Sequence, residues 1–428
     1  MEWRNWADTV RSRAQRAEPA SEQEAAELVS RCARSGRKLR VAGAGHSFTR
    51  LVETDGVLVS LDRMQGLIAT DPAGGRATVQ AGTRLHRLGE LLAAEGLAQE
   101  NLGDIDVQSL AGALSTGTHG TGSHFGILAT QLAGMTLIDG RGAERHLTPD
   151  DGELFRAAQV SLGALGVITR MQLRVVPAYR LRYRSERARL EETLERAGEY
   201  RDRHRNFEFY WFPHSDFVQL KLSDATDDPP APPGRVAHFL DEMVLENGAF
   251  WCLSQACRVF PALTAPVSRL SGRMVPVGET VDASHRVYAT RRLVRFREME
   301  YNVPRDALPD VLRRVRDTIR ERRIRVHFPV ECRYVAGDDI TISPAHGRDS
   351  AYVAVHMFKG MPYREYFSAI EPIFLEHGGR PHWGKMHTRT ADSLRPLYPQ
   401  WDRFLEAREQ LDPDGTFLTP YLRELLGV

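Results

Sequence analysis

Ala25, Leu28, Val29 and Cys32 recur at i, i+3, i+4 and i+7, an apolar stripe at helical period. Ser21 and Glu24 stand ahead of it at capping-box spacing, and Gly36 follows as a stop. Lys38-Leu39-Arg40-Val41 then alternates polar and apolar, like a strand entering a glycine turn. Further strand-like runs fall at 57–61, 77–81, 135–138 and 167–176, with turns at Asp71-Pro72 and Asp139-Gly140-Arg141-Gly142 between them. The first half therefore reads as short strands interleaved with helices.

The pattern changes near 177–184, where charge becomes denser. A helix is predicted over 190–200, an aromatic strand over 207–212, and an exposed loop over the proline-rich 224–235. Leu308, Val311, Leu312, Val315 and Ile319 mark a second clear amphipathic helix, and strands are predicted over 325–335 and 350–358. No repeat of solenoid period is visible.

Length narrows the architecture: 428 residues suit two or three domains. With 42% hydrophobic and 26% charged residues the chain can bury a sizeable core, which excludes disorder as its main state. A net charge of +1 supplies no broad basic field, so no nucleic-acid partner is expected. The start of the chain lacks the apolar core of a secretory signal, and no apolar run is long enough to span a bilayer. The four cysteines, at 32, 252, 257 and 332, form no CxxC pair and are expected as individually buried thiols. These features predict a cytoplasmic protein.

Four stretches carry chemistry. Val41-Ala42-Gly43-Ala44-Gly45-His46-Ser47-Phe48 is a strand feeding a Gly-x-Gly turn, whose backbone N–H groups can cradle a phosphate. A dinucleotide fingerprint wants a third glycine where Phe48 stands, so a Rossmann reading is disfavoured. The run from Ser109 through Gly112, Ser115, Thr116 and His119 to Gly122 is rich in small and hydroxyl residues, as a bed for a flat ligand or as a glycine-rich corner. In Val330-Glu331-Cys332-Arg333, a strand would put Glu331 and Arg333 on one face, where an acid and a guanidinium can orient a hydroxylated substrate or form an ordinary ion pair. In Arg380-Pro381-His382-Trp383-Gly384-Lys385, the lysine can stabilise an anion or stand solvated. A zinc site is disfavoured, because the i, i+5 pairs His382/His387 and His119/His124 share no helical face and have no third ligand near in sequence.

Taken in order, GAGHSF at 43–48, STGTHGTG at 115–122, SLGALGVIT at 161–169 and RPHWGK at 380–385 resemble the flavoprotein sugar-lactone oxidoreductases of the vanillyl-alcohol-oxidase-like fold. Alditol oxidases are close relatives of that group. The resemblance implies an α+β protein. An FAD-binding domain of two subdomains would occupy 1–179, a cap with a large antiparallel sheet 180–375, and a segment returning to the FAD domain 376–428. Ala42, Gly43, Ala44, Gly45, His46 and Ser47 would line the cofactor, with Gly43 to Ser47 as its pyrophosphate loop and His46 covalently bound to the flavin. Gly103, Asp104, Ser109, Gly112, Ser115, Thr116, His119 and Val167 would be further contacts. Glu331, Arg333, Lys385 and His356 would face the substrate, with Lys385 also supporting the flavin.

The activity implied is oxidation of an aldono-1,4-lactone at C2 by hydride transfer to FAD, giving an ascorbate-like product. Asp104 and Phe358 depart from the serine and threonine of alditol oxidases, and the segments 206–212 and 295–301 look closer to the lactone-oxidising members. A lactone is therefore preferred over a polyol. Gly103, without a side chain over the flavin face, favours dioxygen as acceptor over an electron carrier. The competing readings are an alditol oxidase and a non-catalytic flavin-binding protein.

Overall fold

In a computed structural model describing residues 2–231, 248–289 and 294–428, two sheet systems share the chain. Near the N-terminus, Gln15–Ala17, Val57–Val59 and Leu39–Val41 form a small parallel sheet. The helix Glu22–Ser35 begins at Ser21, whose hydroxyl accepts from the Glu24 N–H, and ends at a left-handed Gly36. Five antiparallel strands follow, in the order Glu144–Leu147, Leu132–Ile138, Val167–Arg174, Arg76–Gln80, Leu67–Asp71. One apolar core underlies both sheets and takes in Trp401, Phe404, Phe417 and Leu425 from the end of the chain. Arg40 is wholly buried there and donates to the carbonyls of Leu51, Leu162, Gly163 and Phe417, which ties the glycine-turn strand to that tail.

The larger sheet has eight strands, all paired antiparallel. Their order is Gly278–Ala283, Arg180–Arg189, Phe217–Thr226, Asn206–Trp211, Val330–Val335, Ser350–Phe358, Phe296–Pro304, Arg380–Pro381. The mixed helix-and-sheet class with a large antiparallel sheet is the expected one. Side chains alternate across it. Phe207, Phe209, Trp211, Cys332, Met299 and Tyr301 pack into a second core that includes the helices Leu308–Glu321 and Arg364–Glu376. The opposite face carries the charged residues described below.

Several expectations are revised. The helix over 190–200 is two short ones, Leu190–Glu195 and Ala197–Arg203, parted at Arg196. The strand over 325–335 begins only at Val330, and 224–226 complete a strand rather than a loop, with 232–235 outside the described residues. Cys32, Cys257 and Cys332 are buried, whereas Cys252 is exposed, and all four are free thiols.

Candidate active site

The central strands of the eight-stranded sheet place a row of polar groups along one face. Register sets Tyr210, Glu331, Ala354 and Glu300 side by side, and Glu208, Arg333, Tyr352 and Asn302 form the next row. Ala354 is the small member of the first row, so room is left between Glu331 and Glu300. A cavity opens there. Its walls are Phe296, Glu298, Glu300, Glu331 and Arg333 from the sheet, Gly103, Asp104, Thr116 and His119 from the facing loops, His46 and Ser47 from the glycine turn, and His382, Gly384 and Lys385 from the tail.

The tail and the glycine turn meet directly. The Phe48 N–H donates to the Gly384 carbonyl at 2.7 Å, and the Thr49 hydroxyl donates to the Trp383 carbonyl at 3.1 Å. From the other side, the Asn5 amide donates to the Ser47 carbonyl at 2.9 Å, and the Trp6 ring stacks on His46 with centroids 5.4 Å apart. Burial, then the charges of Lys385 and Arg84, push the His46 imidazole down to about 4, so it is neutral at ordinary pH.

Arg333 sits among three carboxylates. Its Nε donates to Glu208 Oε2 at 2.6 Å, and its Nη2 lies 2.5 Å from Glu331 Oε1 and 3.2 Å from Asp104 Oδ1. Burial alone would lower the guanidinium, but Asp104, Glu208 and Glu331 reverse this and hold it well above its usual value. Glu208 in turn meets Lys221 at 3.4 Å.

A second cluster surrounds Lys385. Its ammonium donates to Glu298 Oε2 at 2.5 Å. Burial opposes that charge, yet Glu298 and Glu300 raise the lysine, while Lys385 overcomes the burial of Glu298 and brings it down to about 2. Glu300 is held low despite its burial by His119, whose Nε2 is 3.2 Å away. The His119 ring lies flat against Tyr352 at 3.6 Å. His382 is pushed by burial down to about 3, and its Nδ1 accepts from the Gly384 N–H at 2.9 Å.

Not every expected residue reaches the cavity. His356 stands behind it, with Nδ1 at the Pro329 carbonyl, Nε2 3.5 Å from Glu298 Oε1 and its ring against the edge of Phe296. Phe358 stacks on Phe328 in the core. Ser109 packs on Gly43 and Gly112, Ser115 pairs with Ser161, and Val167 is a buried strand residue beside Ile138. Sequence reading missed Glu208, Glu298, Glu300 and His382. The signal was present: Glu298-Met299-Glu300 alternates two carboxylates with apolar neighbours inside one strand. His119, Glu300 and His382, distant in sequence, bring their ligand atoms within 4.8 Å of one another, but each is engaged in the hydrogen bonds above.

The glycine turn suits a phosphate. Among the described residues nothing accepts a hydrogen bond from the successive N–H groups of 43–47, and Gly45 takes a left-handed φ of 73° that lets the loop curl. A turn of free donors opening into a cavity lined by buried charges fits a flavin dinucleotide.

The fold is that of FAD-dependent oxidases. A solvent-stable cholesterol oxidase superposes with a TM-score of 0.86 at 19% identity, over 100% of this chain and 97% of that one. Cholesterol oxidase from B. sterolicum gives 0.84 at 17%, over 99% and 96%. Residues 14–148 match the FAD binding domain family. Residues 171–425 match the D-arabinono-1,4-lactone oxidase family, to which this chain belongs. L-gulono-1,4-lactone dehydrogenase of Mycobacterium tuberculosis is 40% identical over 99% of both chains. L-gulonolactone oxidase of Bos taurus is 31% identical over 99% of this chain and 98% of its own. The D-arabinono-1,4-lactone oxidase of Yarrowia lipolytica is 29% identical over 97% and 95%.

Proposed function

We propose that this protein oxidises the C2 carbinol of an aldono-1,4-lactone of the gulono, galactono or arabinono type, yielding the ene-diol of an ascorbate-like product. The observation that carries it is the pairing of Glu331 and Arg333 on one strand face, opposite Lys385, around a cavity that the phosphate-competent turn also enters. FAD, when bound, supplies the acceptor for the hydride that leaves the carbinol carbon.

Glu331 is the carboxylate assigned to accept the hydroxyl proton, and Arg333, 2.5 Å away, orients it and the substrate oxygens. Asp104 and Glu208 fix the guanidinium in turn. Lys221 stands beside Glu208 on the far side of the guanidinium. Lys385 would offer its ammonium to the cofactor when that is bound, and His356 stands beside Glu298, the lysine's partner.

The cofactor is assigned to 1–179 and 376–428, with 180–375 as the cap. A neutral His46 held by Trp6 is suited to form a covalent bond to the flavin. Gly103 lines the cavity without a side chain, which supports dioxygen as acceptor. The mycobacterial relative's name as a dehydrogenase makes an electron carrier the second reading. Four free thiols suit a reducing, cytoplasmic compartment.

The decisive experiment is anaerobic flavin reduction with L-gulono-, L-galactono- and D-arabinono-1,4-lactone beside xylitol and sorbitol. Bleaching with a lactone is expected. Bleaching by the alditols alone would reassign the enzyme to alditols, and bound flavin that nothing reduces would make it a binding protein.

A further inference from the structure

The loop that carries Gly103 and Asp104 is placed by side chains rather than by its own backbone. Among the described residues, 100–103 make no backbone–backbone hydrogen bond. The Glu100 carbonyl accepts instead from the Tyr179 hydroxyl at 2.8 Å and from Arg205 Nη2 at 2.7 Å. The Asn101 carbonyl accepts from Gln131 Nε2 at 2.7 Å. The Arg205 guanidinium is itself fixed, 4.4 Å from the centre of the Phe125 ring and 4.9 Å from that of Tyr179.

Asn206, the first residue of the strand Asn206–Trp211, ties this loop to a second one. Its amide donates to Asn101 Oδ1 at 3.1 Å and to the Thr121 carbonyl at 2.5 Å, while its oxygen accepts from the Tyr288 hydroxyl at 2.9 Å. Both donors and the oxygen of this buried side chain are thus in use. The two loops lie backbone on backbone. A Cβ on Gly120 would stand 2.1 Å from the Leu102 carbonyl, and one on Gly103 would stand 3.0 Å from the His119 carbonyl. With no side chain between them to yield, a shift of one loop moves the other.

The same strand holds the other end of the loop. Asn206 and Glu208 are two residues apart and face one side of the sheet. Glu208 takes Arg333 Nε at 2.6 Å, and Arg333 Nη2 lies 3.2 Å from Asp104 Oδ1. One strand face therefore grips 101–104 at both ends, at Asn101 directly and at Asp104 through the guanidinium. Asn206 itself stands outside the cavity, whereas Gly103, Asp104, Thr116, Thr118 and His119 of the two loops line it. Slack at the Asn101 end passes along the loop to Asp104, and from there to Arg333.

We propose that Asn206 is a positioning residue for the lactone: it sets where Gly103 and Asp104 stand in the cavity wall and, through Asp104, the aim of Arg333. This role rests on the assignment of Arg333 to the substrate oxygens made above. Asparagine suits it because one short uncharged side chain offers two donors and an acceptor together. Arg333 meets those oxygens in the bound lactone as well as in the transition state, so a misaimed guanidinium costs binding before it costs turnover.

The test is steady-state oxidation, per bound flavin and with a dye as acceptor, of whichever of L-gulono-, L-galactono- and D-arabinono-1,4-lactone reduces the parent's flavin. KM should rise about tenfold in Asn206→Ala and Asn206→Asp and about threefold in Tyr288→Phe, with kcat within about threefold of the parent. Asn206→Asp keeps the size of the side chain and loses both donors. A KM equal to the parent's in that variant would reduce Asn206 to a filler of space and overturn the proposal. Tyr288→Phe removes one hydroxyl and keeps the ring, so it carries the test if neither Asn206 variant folds. Ile319→Ala, buried in the second core, should lower the melting temperature and leave KM unchanged. A KM within about twofold of the parent in every folded variant, or an equal rise in Ile319→Ala, overturns the proposal while the lactone reading stands. A parent whose flavin none of the three lactones reduces overturns the lactone reading and this proposal together.

Discussion

The Lys385 ammonium and a Glu298 carboxylate oxygen are 2.5 Å apart in the wall of the cavity. The two come from elements far apart in sequence, and each is buried only because the other is there. Lys385→Met leaves Glu298 and Glu300 facing one another without their cation. It should destabilise the fold by about 3 kcal/mol or more, with part recovered when Glu298→Gln is added. Urea unfolding of the two single variants and the double variant measures this, and additive losses would show that the pair is not coupled.

Arg333→Lys keeps a positive charge but loses the fork that engages Glu208 through Nε and both Glu331 and Asp104 through Nη2. Turnover with lactone should fall about a hundredfold, an increase of about 2.7 kcal/mol in barrier. Steady-state kcat/KM is the measurement. Activity within a factor of two of the parent would remove Arg333 from the proposed role.

His46 is neutral and fixed against Trp6. Acid-precipitated protein should therefore keep its yellow colour, and His46→Ala should release that colour into the supernatant. Colour released from the parent protein would reject the covalent bond while leaving the family assignment in place.

A methyl group on Gly103 would lie 3.0 Å from the His119 carbonyl, at the cavity wall. Gly103→Ala should slow reoxidation by air more than reoxidation by an artificial dye. Stopped-flow absorbance separates the two rates, and equal slowing would argue against a route for dioxygen past this glycine.

Acid should destabilise the fold between pH 6.5 and about 4. Burial pushes His46, His327 and His387 down to about 4 and His382 to about 3, so they stay neutral when folded but take up protons once unfolded. Over that window the unfolded chain binds more protons, and stability falls as pH falls. Buried Asp338 and Asp412, raised to about 7 and about 6, act in the opposite sense, two groups against four. The urea midpoint should drop from pH 6.5 to pH 4.5, and less steeply in His327→Asn. A midpoint that rises with acid would reverse the assignment.

Local pattern settled much of this protein. The period of Leu308 to Ile319 announced the helix Leu308–Glu321, and Ser21 with Gly36 bounded the helix Glu22–Ser35, because caps and apolar stripes act over a few residues. The alternation at Glu331, Cys332 and Arg333 already set acid and guanidinium on one face. Tertiary structure alone decided who faces them. Glu208 meets Arg333, Glu298 meets Lys385 and Phe48 meets Gly384 only because strand order brings distant segments into register. It also decided that His356 and Phe358 stand behind the cavity wall. Strand neighbours are chosen by the burial of whole faces, a sum over the entire sheet that no short stretch of sequence contains.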